Sequence, residues 1–91
     1  MYEIRRTKRF DKDYLKAFQA GKDLKKLDEI LIKIAKQESL DAKYKDHKLK
    51  GNYKNHRECH LEADWLLIYR IDTVFKTITF VRIGTHSELF N

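Results

Sequence analysis

Trp65-Leu66-Leu67-Ile68-Tyr69 is the longest apolar run in the chain, closed by Asp64 before it and Arg70 after it. It is far short of the roughly 20 residues of a membrane helix, and its length suits a strand. Successive strand residues point to opposite faces, so a strand apolar at every position needs cover on both sides and belongs in the middle of its sheet. The flanking sequence supplies its neighbours. Tyr53–Leu61 and Thr77–Ile83 read as strands, and the connections Glu62-Ala63-Asp64 and Asp72 to Lys76 are short enough for hairpins. In the last strand, strict alternation puts Ile78, Phe80 and Arg82 on one face and Thr79, Val81 and Ile83 on the other. Tyr2-Glu3-Ile4-Arg5-Arg6 alternates as a fourth, short strand.

The cover comes from the first half. Thr7 is placed to cap a helix over Lys8–Ala20, with Asp11 and Asp13 near its positive end. Phe10, Tyr14, Ala17 and Phe18 fall on one side of it, and Gly21 ends it. Asp23 caps a second helix, Leu24–Lys36, with Leu24, Leu27, Ile30, Leu31 and Ile34 inward. So tight a connection predicts an antiparallel helix hairpin. Residues 39–52 read as a polar loop. The expected order is β-α-α-β-β-β: an α+β fold with a two-helix hairpin packed on one face of a mostly antiparallel four-stranded sheet. Residues 1–91 are expected to form a single domain. A domain of this size holds a thin core, so a shallow groove on the sheet is the expected working surface.

The formal charge is +6. Residues 1–50 carry 15 Lys and Arg against 9 Asp and Glu, whereas residues 51–91 carry 5 against 5. The excess thus lies in the helical half and the loop after it, which points to a polyanion such as nucleic acid, or to an acidic protein partner. Lys43, Lys45, Lys48, Lys50 and Lys54 together suit an RNA backbone; the plain alternative is a solvated surface. A lone Cys59 excludes an internal disulfide and fits a reducing cytosol. The charged first 20 residues do not read as a signal peptide, and a cytoplasmic, membrane-free protein is expected.

All four histidines follow residue 46: His47, His56, His60 and His86. Histidine titrates near neutral pH unaided. Period 2 puts His56, Glu58 and His60 on one face of the strand Tyr53–Leu61, with Arg57, Cys59 and Leu61 on the other. Asp64 follows in the next turn, and Gly84-Thr85 forms a bend that can aim His86 back over the sheet. His47, His60, Asp64 and His86 can therefore meet at one sheet edge. RNA transesterification needs this chemistry: one group takes the 2′-hydroxyl proton, another protonates the leaving 5′-oxygen, and positive charge meets the phosphate. Trp65, Tyr53 and Phe90 are candidates for stacking on bases. Each has a plainer reading, His60 as a half-buried strand residue, Asp64 as a turn residue, Trp65 as core, Arg82 as sheet cover. His56 reads as a surface bystander. Cys59 and His60 are adjacent on a strand and face opposite ways, and no paired Cys/His spacing occurs, so no metal or other cofactor is expected.

Three strings carry a resemblance to a known family: residues 44–51 (YKDHKLKG), 57–69 (RECHLEADWLLIY) and 82–90 (RIGTHSELF). In this order and spacing they resemble the RelE superfamily of type II toxins, most closely its YafQ-like members. The resemblance implies a RelE-like fold and a metal-independent endoribonuclease that cuts mRNA in the decoding site of the small ribosomal subunit, against ribosomal RNA. It implies a cognate antitoxin, through which alone DNA would be contacted. The family's catalytic positions match His47, His60, Asp64 and His86, with His60 and His86 as the proton-transfer pair. Trp65, Arg82 and Phe90 match supporting positions. Ala63 departs from the pattern, since relatives commonly have proline there. Two other readings remain: a ParE-like gyrase inhibitor, which would need no acid–base set, and a basic RNA-binding module that does not cleave.

Overall fold

Trp65–Asp72 is the middle strand of a five-stranded mixed sheet in the computed structural model, which describes residues 2–90. In chain order the strands are β1 (Glu3–Arg6), β2 (His47–Lys48), β3 (Arg57–Glu62), β4 (Trp65–Asp72) and β5 (Thr77–Gly84), arranged β1-β5-β4-β3-β2. The α+β class and the antiparallel β3-β4-β5 meander agree with the sequence reading. The count of four strands does not. Two residues of the polar loop, His47 and Lys48, pair antiparallel with Glu58 and Arg57 and add a fifth strand, too short to show a period. β1 pairs with β5 in parallel.

Helices α1 (Lys8–Gln19) and α2 (Leu24–Ala35) form the expected hairpin. Thr7 Oγ1 accepts from the Phe10 amide, and Asp23 Oδ1 from that of Lys26. Gly21, at φ +73°, closes α1 with Gly21 N–H donating to Phe18 O and Lys22 N–H to Ala17 O. The same closure ends α2, with Gln37 at φ +59° in the glycine position. Phe10 and Ala17 from α1 and Leu27, Ile30 and Ile34 from α2 pack onto Cys59, Leu61, Trp65, Leu67, Tyr69, Ile78, Phe80 and Ile83. Leu24, Leu31 and Tyr14 are half-buried against them, while Phe18, expected inward, is 64% exposed.

The opposite face is also covered, as a doubly apolar β4 demands. Leu66 and Ile68 are fully buried beneath Leu89, Leu49, Tyr53 and Val81. Leu89 belongs to a third helix, α3 (His86–Phe90), where only a bend was expected. Its start is a capping box: Thr85 Oγ1 accepts from the Glu88 amide and Glu88 Oε1 accepts from the Thr85 amide.

Two irregularities change the expected faces. β5 is bulged at Val81, because Arg82 pairs with Ile68 while Phe80 pairs with Tyr69. The extra residue moves Ile83 onto the helix side, beside Ile78 and Phe80, and breaks the strict alternation. Secondly, β3 begins at Arg57 rather than Tyr53. Gly51–Tyr53 is a turn of 3-10 helix, and Asn55 takes φ +69° before the chain enters the sheet. His56 therefore precedes the strand, with Nδ1 against the Lys54 carbonyl.

Candidate active site

β3 presents alternate side chains to the face away from α1 and α2. Cys59 and Leu61 enter the helix-side core, and Glu58 and His60 point the other way. β2 lies on the outer edge of β3 and sets His47 opposite Glu58. His47 Nε2 and His60 Nε2 lie 3.5 Å and 3.3 Å from Glu58 Oε1. Glu58 is only 4% exposed. A buried carboxylate is costly unless paired, and its ion-pair partners among the described residues are these two imidazoles. The sequence reading placed Glu58 beside His60 but gave it no part in the site. β2, which brings His47 to it, has no sequence signal.

The loop that carries His47 is tied down from the sheet. Asp46 accepts two hydrogen bonds from Arg57, at 3.3 and 3.1 Å, and one from the Tyr69 hydroxyl at 2.6 Å. Burial and the Asp46 carboxylate push the Tyr69 phenol well above its usual range, so it stays a donor. Lys45 then turns through φ +49°, and its carbonyl lies 2.7 Å from His47 Nδ1. A carbonyl can only accept, so Nδ1 carries the hydrogen and Nε2 faces Glu58.

Gly84 and the capped α3 deliver His86. Asp64, in the β3-β4 turn, accepts at one oxygen from the His86 amide at 2.9 Å and from His86 Nδ1 at 2.7 Å. The backbone amide of His86, then its ring, then Lys22 hold the Asp64 carboxyl below its usual range. The carboxylate is thus an acceptor, Nδ1 the donor, and Nε2 of His86 the free ring nitrogen. The turn is made without proline: Ala63 leaves Asp64 in reach.

The rings form a row. Centroids of His47 and His60 are 6.1 Å apart, His60 and His86 5.8 Å, His86 and Phe90 6.3 Å, Phe90 and Tyr53 5.7 Å. Phe90 is 45% exposed, so it offers a face to a base. Lys45, Lys48, Lys50 and Lys54 are exposed on the loop and turn beside the row. A shallow cavity by His60 is lined by Lys43, Lys45 and Lys26.

Two expected RNA contacts lie elsewhere. Trp65 is 3% exposed in the helix-side core, with the Lys22 ammonium 5.6 Å from its ring centroid, so it is packing and not a stacking platform. Arg82 bonds Asp13 of α1 at 2.8 and 3.2 Å and is largely buried. Asp13 also accepts from the Ile83 amide, and Thr7 Oγ1 donates to the Val81 carbonyl, so α1 satisfies the edge of β5 that β1 leaves unpaired. Arg82 is a clasp of that edge.

Candidate metal donors are His47, Glu58 and His60, each with one ligand atom within 4.8 Å of the others. Cys59 is buried on the far side of the sheet, as its alternation with His60 predicts, and burial pushes its thiol up to about 12.

Comparison with known proteins gives relatives that match over their full length. A sequence model described as "Bacterial toxin of type II toxin-antitoxin system, YafQ" matches residues 2–91. The mRNA interferase toxin YafQ of Escherichia coli K12 is 38% identical over 89 residues, covering 97% of this chain and 95% of that one. A metal-bound toxin from Helicobacter pylori is 47% identical, with a TM-score of 0.91 over 99% of this chain and 100% of that one. YafQ in the E. coli DinJ-YafQ complex is 37% identical, with a TM-score of 0.91 and all of both chains covered.

Proposed function

The chain belongs to the YafQ family of bacterial type II toxins, within the RelE superfamily, and from that premise we propose that it is an mRNA interferase that cleaves mRNA in the ribosomal decoding site by histidine acid–base chemistry. The observation that carries the chemistry is the row His47–His60–His86, with Asp64 on Nδ1 of the last. A nucleotide laid along it has an imidazole at each side of the scissile phosphate. One of His60 and His86 takes the 2′-hydroxyl proton as that oxygen bonds to phosphorus. The other protonates the 5′-oxygen as its bond to phosphorus breaks, leaving a cyclic phosphate and a free hydroxyl. Neither step needs a covalent enzyme intermediate. Asp64 fixes the tautomer and aim of His86 and stabilises the ring when it is charged. His47, steadied by the Lys45 carbonyl and Glu58, meets the phosphate.

Phe90, backed by Tyr53, stacks on a base, and Lys45, Lys48, Lys50 and Lys54 follow the RNA backbone. The groove is shallow and has few base-reading groups, which favours a substrate already held by the ribosome. The protein works as one domain in the cytoplasm. A cognate antitoxin silences it, as the DinJ-YafQ complex of a relative supports, and contact with DNA runs through that antitoxin. Purified protein is expected to cut mRNA on translating ribosomes and to leave the same free RNA largely intact. Equal cutting of free RNA would remove the ribosome from the account, and inhibition of gyrase without RNA cuts would replace it.

A further inference from the structure

We propose that Asn52 reads one base of the mRNA strand, in a cavity walled by Tyr53 and Phe90 beside the histidine row; for its substrate this rests on the nuclease reading. The cavity is about 500 Å³ and is lined by Lys50, Asn52, Tyr53, Leu89 and Phe90. That volume falls within the roughly 300–1,000 Å³ of small-ligand sites. Its two rings stand almost perpendicular, at 85° with centroids 5.7 Å apart. A base stacked flat on one ring is stopped by the other, so its plane and its position are both set. Both walls are held. Tyr53 packs over Leu66 and Ile68 and stands beside the Arg82 guanidinium, which Asp13 clasps. Phe90 directly follows Leu89, which is buried in the same cluster. The Phe90 and His86 ring centroids are 6.3 Å apart, so the base held here belongs to a nucleotide flanking the scissile phosphate.

Two rings and a leucine accept any base, because every base has a π-face. Lys50 offers a cation, suited to phosphate. Discrimination between bases needs directed donors and acceptors at a base edge, and the cavity's one carboxamide is that of Asn52. An asparagine in a turn commonly bonds the backbone through its side chain. Asn52 does not. The 3-10 turn Gly51–Tyr53 is closed by backbone alone: Lys54 N–H donates to Gly51 O and His56 N–H to Tyr53 O, each at 3.0 Å. No hydrogen bond among the described residues uses the Asn52 side chain. Gly51, at φ +65°, opens the turn and leaves Asn52 exposed at its middle. The free carboxamide beside the aromatic slot thus has N–H donors for a ring nitrogen or carbonyl oxygen of the base and a C=O acceptor for its amino group.

The test is single-turnover cleavage on ribosomes programmed with mRNAs that carry each base in turn at each position of the decoded codon. Wild type is expected to discriminate between bases, and Asn52→Ala to flatten that preference at one codon position by at least about fivefold, the loss of a base-edge contact. Asn52→Asp keeps the size but only accepts, so it is expected to shift the preference at that position toward a base with an exposed amino group, such as cytosine. Asn55→Gly, which removes a carboxamide from the same loop outside the cavity, is expected to keep the wild-type profile. An indifferent wild type, or an Asn52→Ala profile identical to wild type, overturns the proposal. A second measurement is independent of cleavage. The nucleoside 5′-monophosphates of all RNA bases are titrated separately into the isotope-labelled full chain, and the Asn52 side-chain amide is followed by nuclear magnetic resonance. Its shifts are expected to differ between bases and to disappear in Phe90→Ala. No response of that amide, or a response unchanged in Phe90→Ala, overturns the proposal. With the response present, a lack of RNA cleavage would instead remove the nuclease reading alone.

Discussion

Single residues decide the site through what holds them. His86 is aimed by Asp64 from two directions, ring and backbone, and His47 by a carbonyl and a buried carboxylate. Tyr69 shows how far that support reaches. Its ring is core on the helix side, yet its hydroxyl donates to Asp46 and steadies the loop of His47. Tyr69→Phe is expected to lower the unfolding free energy by about 1.5–3 kcal/mol, as a lost hydrogen bond to a charged group, in urea denaturation. An unchanged stability would mean that water replaces the hydroxyl. At this scale the sequence was informative about chemistry and poor about support. Four polar residues in compact strings, His47, His60, Asp64 and His86, were readable as a set. Asp46 was not, because its partners Arg57 and Tyr69 lie 11 and 23 positions away, and Glu58, readable beside His60, drew no role because its second partner, His47, lies 11 positions back on a strand without a sequence signal. Trp65 and Arg82 were ambiguous for the same reason, since a buried ring and a clasped guanidinium look in sequence like an exposed ring and a free cation.

Short elements position those residues. α3 is five residues long and could not persist alone. It holds through its capping box, Leu89 in the core and the Lys16–Glu88 ion pair. Thr85→Ala is expected to cost about 1 kcal/mol and to slow cleavage, because the cap also aims His86. Glu88 adds a pH signature. Lys16 and the Thr85 amide lower its carboxyl from 4.5 to about 2. A lowered carboxyl stabilises the fold above its unfolded value and loses that contribution as pH falls through the folded one. The melting-temperature gap between wild type and Glu88→Gln should therefore be widest above about pH 4.5 and close toward about pH 2; a constant gap would contradict the assignment. At the end of α2, Gln37 occupies a left-handed position that glycine favours. Gln37→Gly is expected to stabilise the protein by up to about 1 kcal/mol, measured by urea denaturation, and a loss would place its side chain in the packing. Long elements were legible: the repeating periods of α1 and α2 set their ends within a residue of expectation, and the unbroken apolar run set the start of β4 at Trp65. α3 carried a readable signal in Thr85-His86-Ser87-Glu88. β2 and the Val81 bulge carried none, since pairing across the sheet creates both.

At the scale of the molecule, the sheet separates two tasks. One face, against α1 and α2, makes most of the core; the other carries the ring row over a smaller cluster around Leu66 and Ile68. Of the positive excess of residues 1–50, Lys45, Lys48 and Lys50 border the row, with Lys54 beyond them, while Lys16 of α1 pairs with Glu88 of α3 and Lys26 of α2 lines the cavity beside His60. Neutralising Lys45, Lys48 and Lys50 together is expected to weaken ribosome binding. It should also reduce the slope of log affinity against log salt by about 0.7–0.9 for each lost phosphate contact; an unchanged slope would assign these lysines to solvent. The central claim is that this row performs acid–base cleavage of ribosome-held mRNA. Single-turnover cleavage on mRNA-programmed ribosomes, comparing wild type with His60→Ala and His86→Ala, tests it most directly. The account predicts that each substitution slows cleavage by about 10²–10⁴-fold while ribosome binding is kept, and wild-type rates in both variants would contradict it.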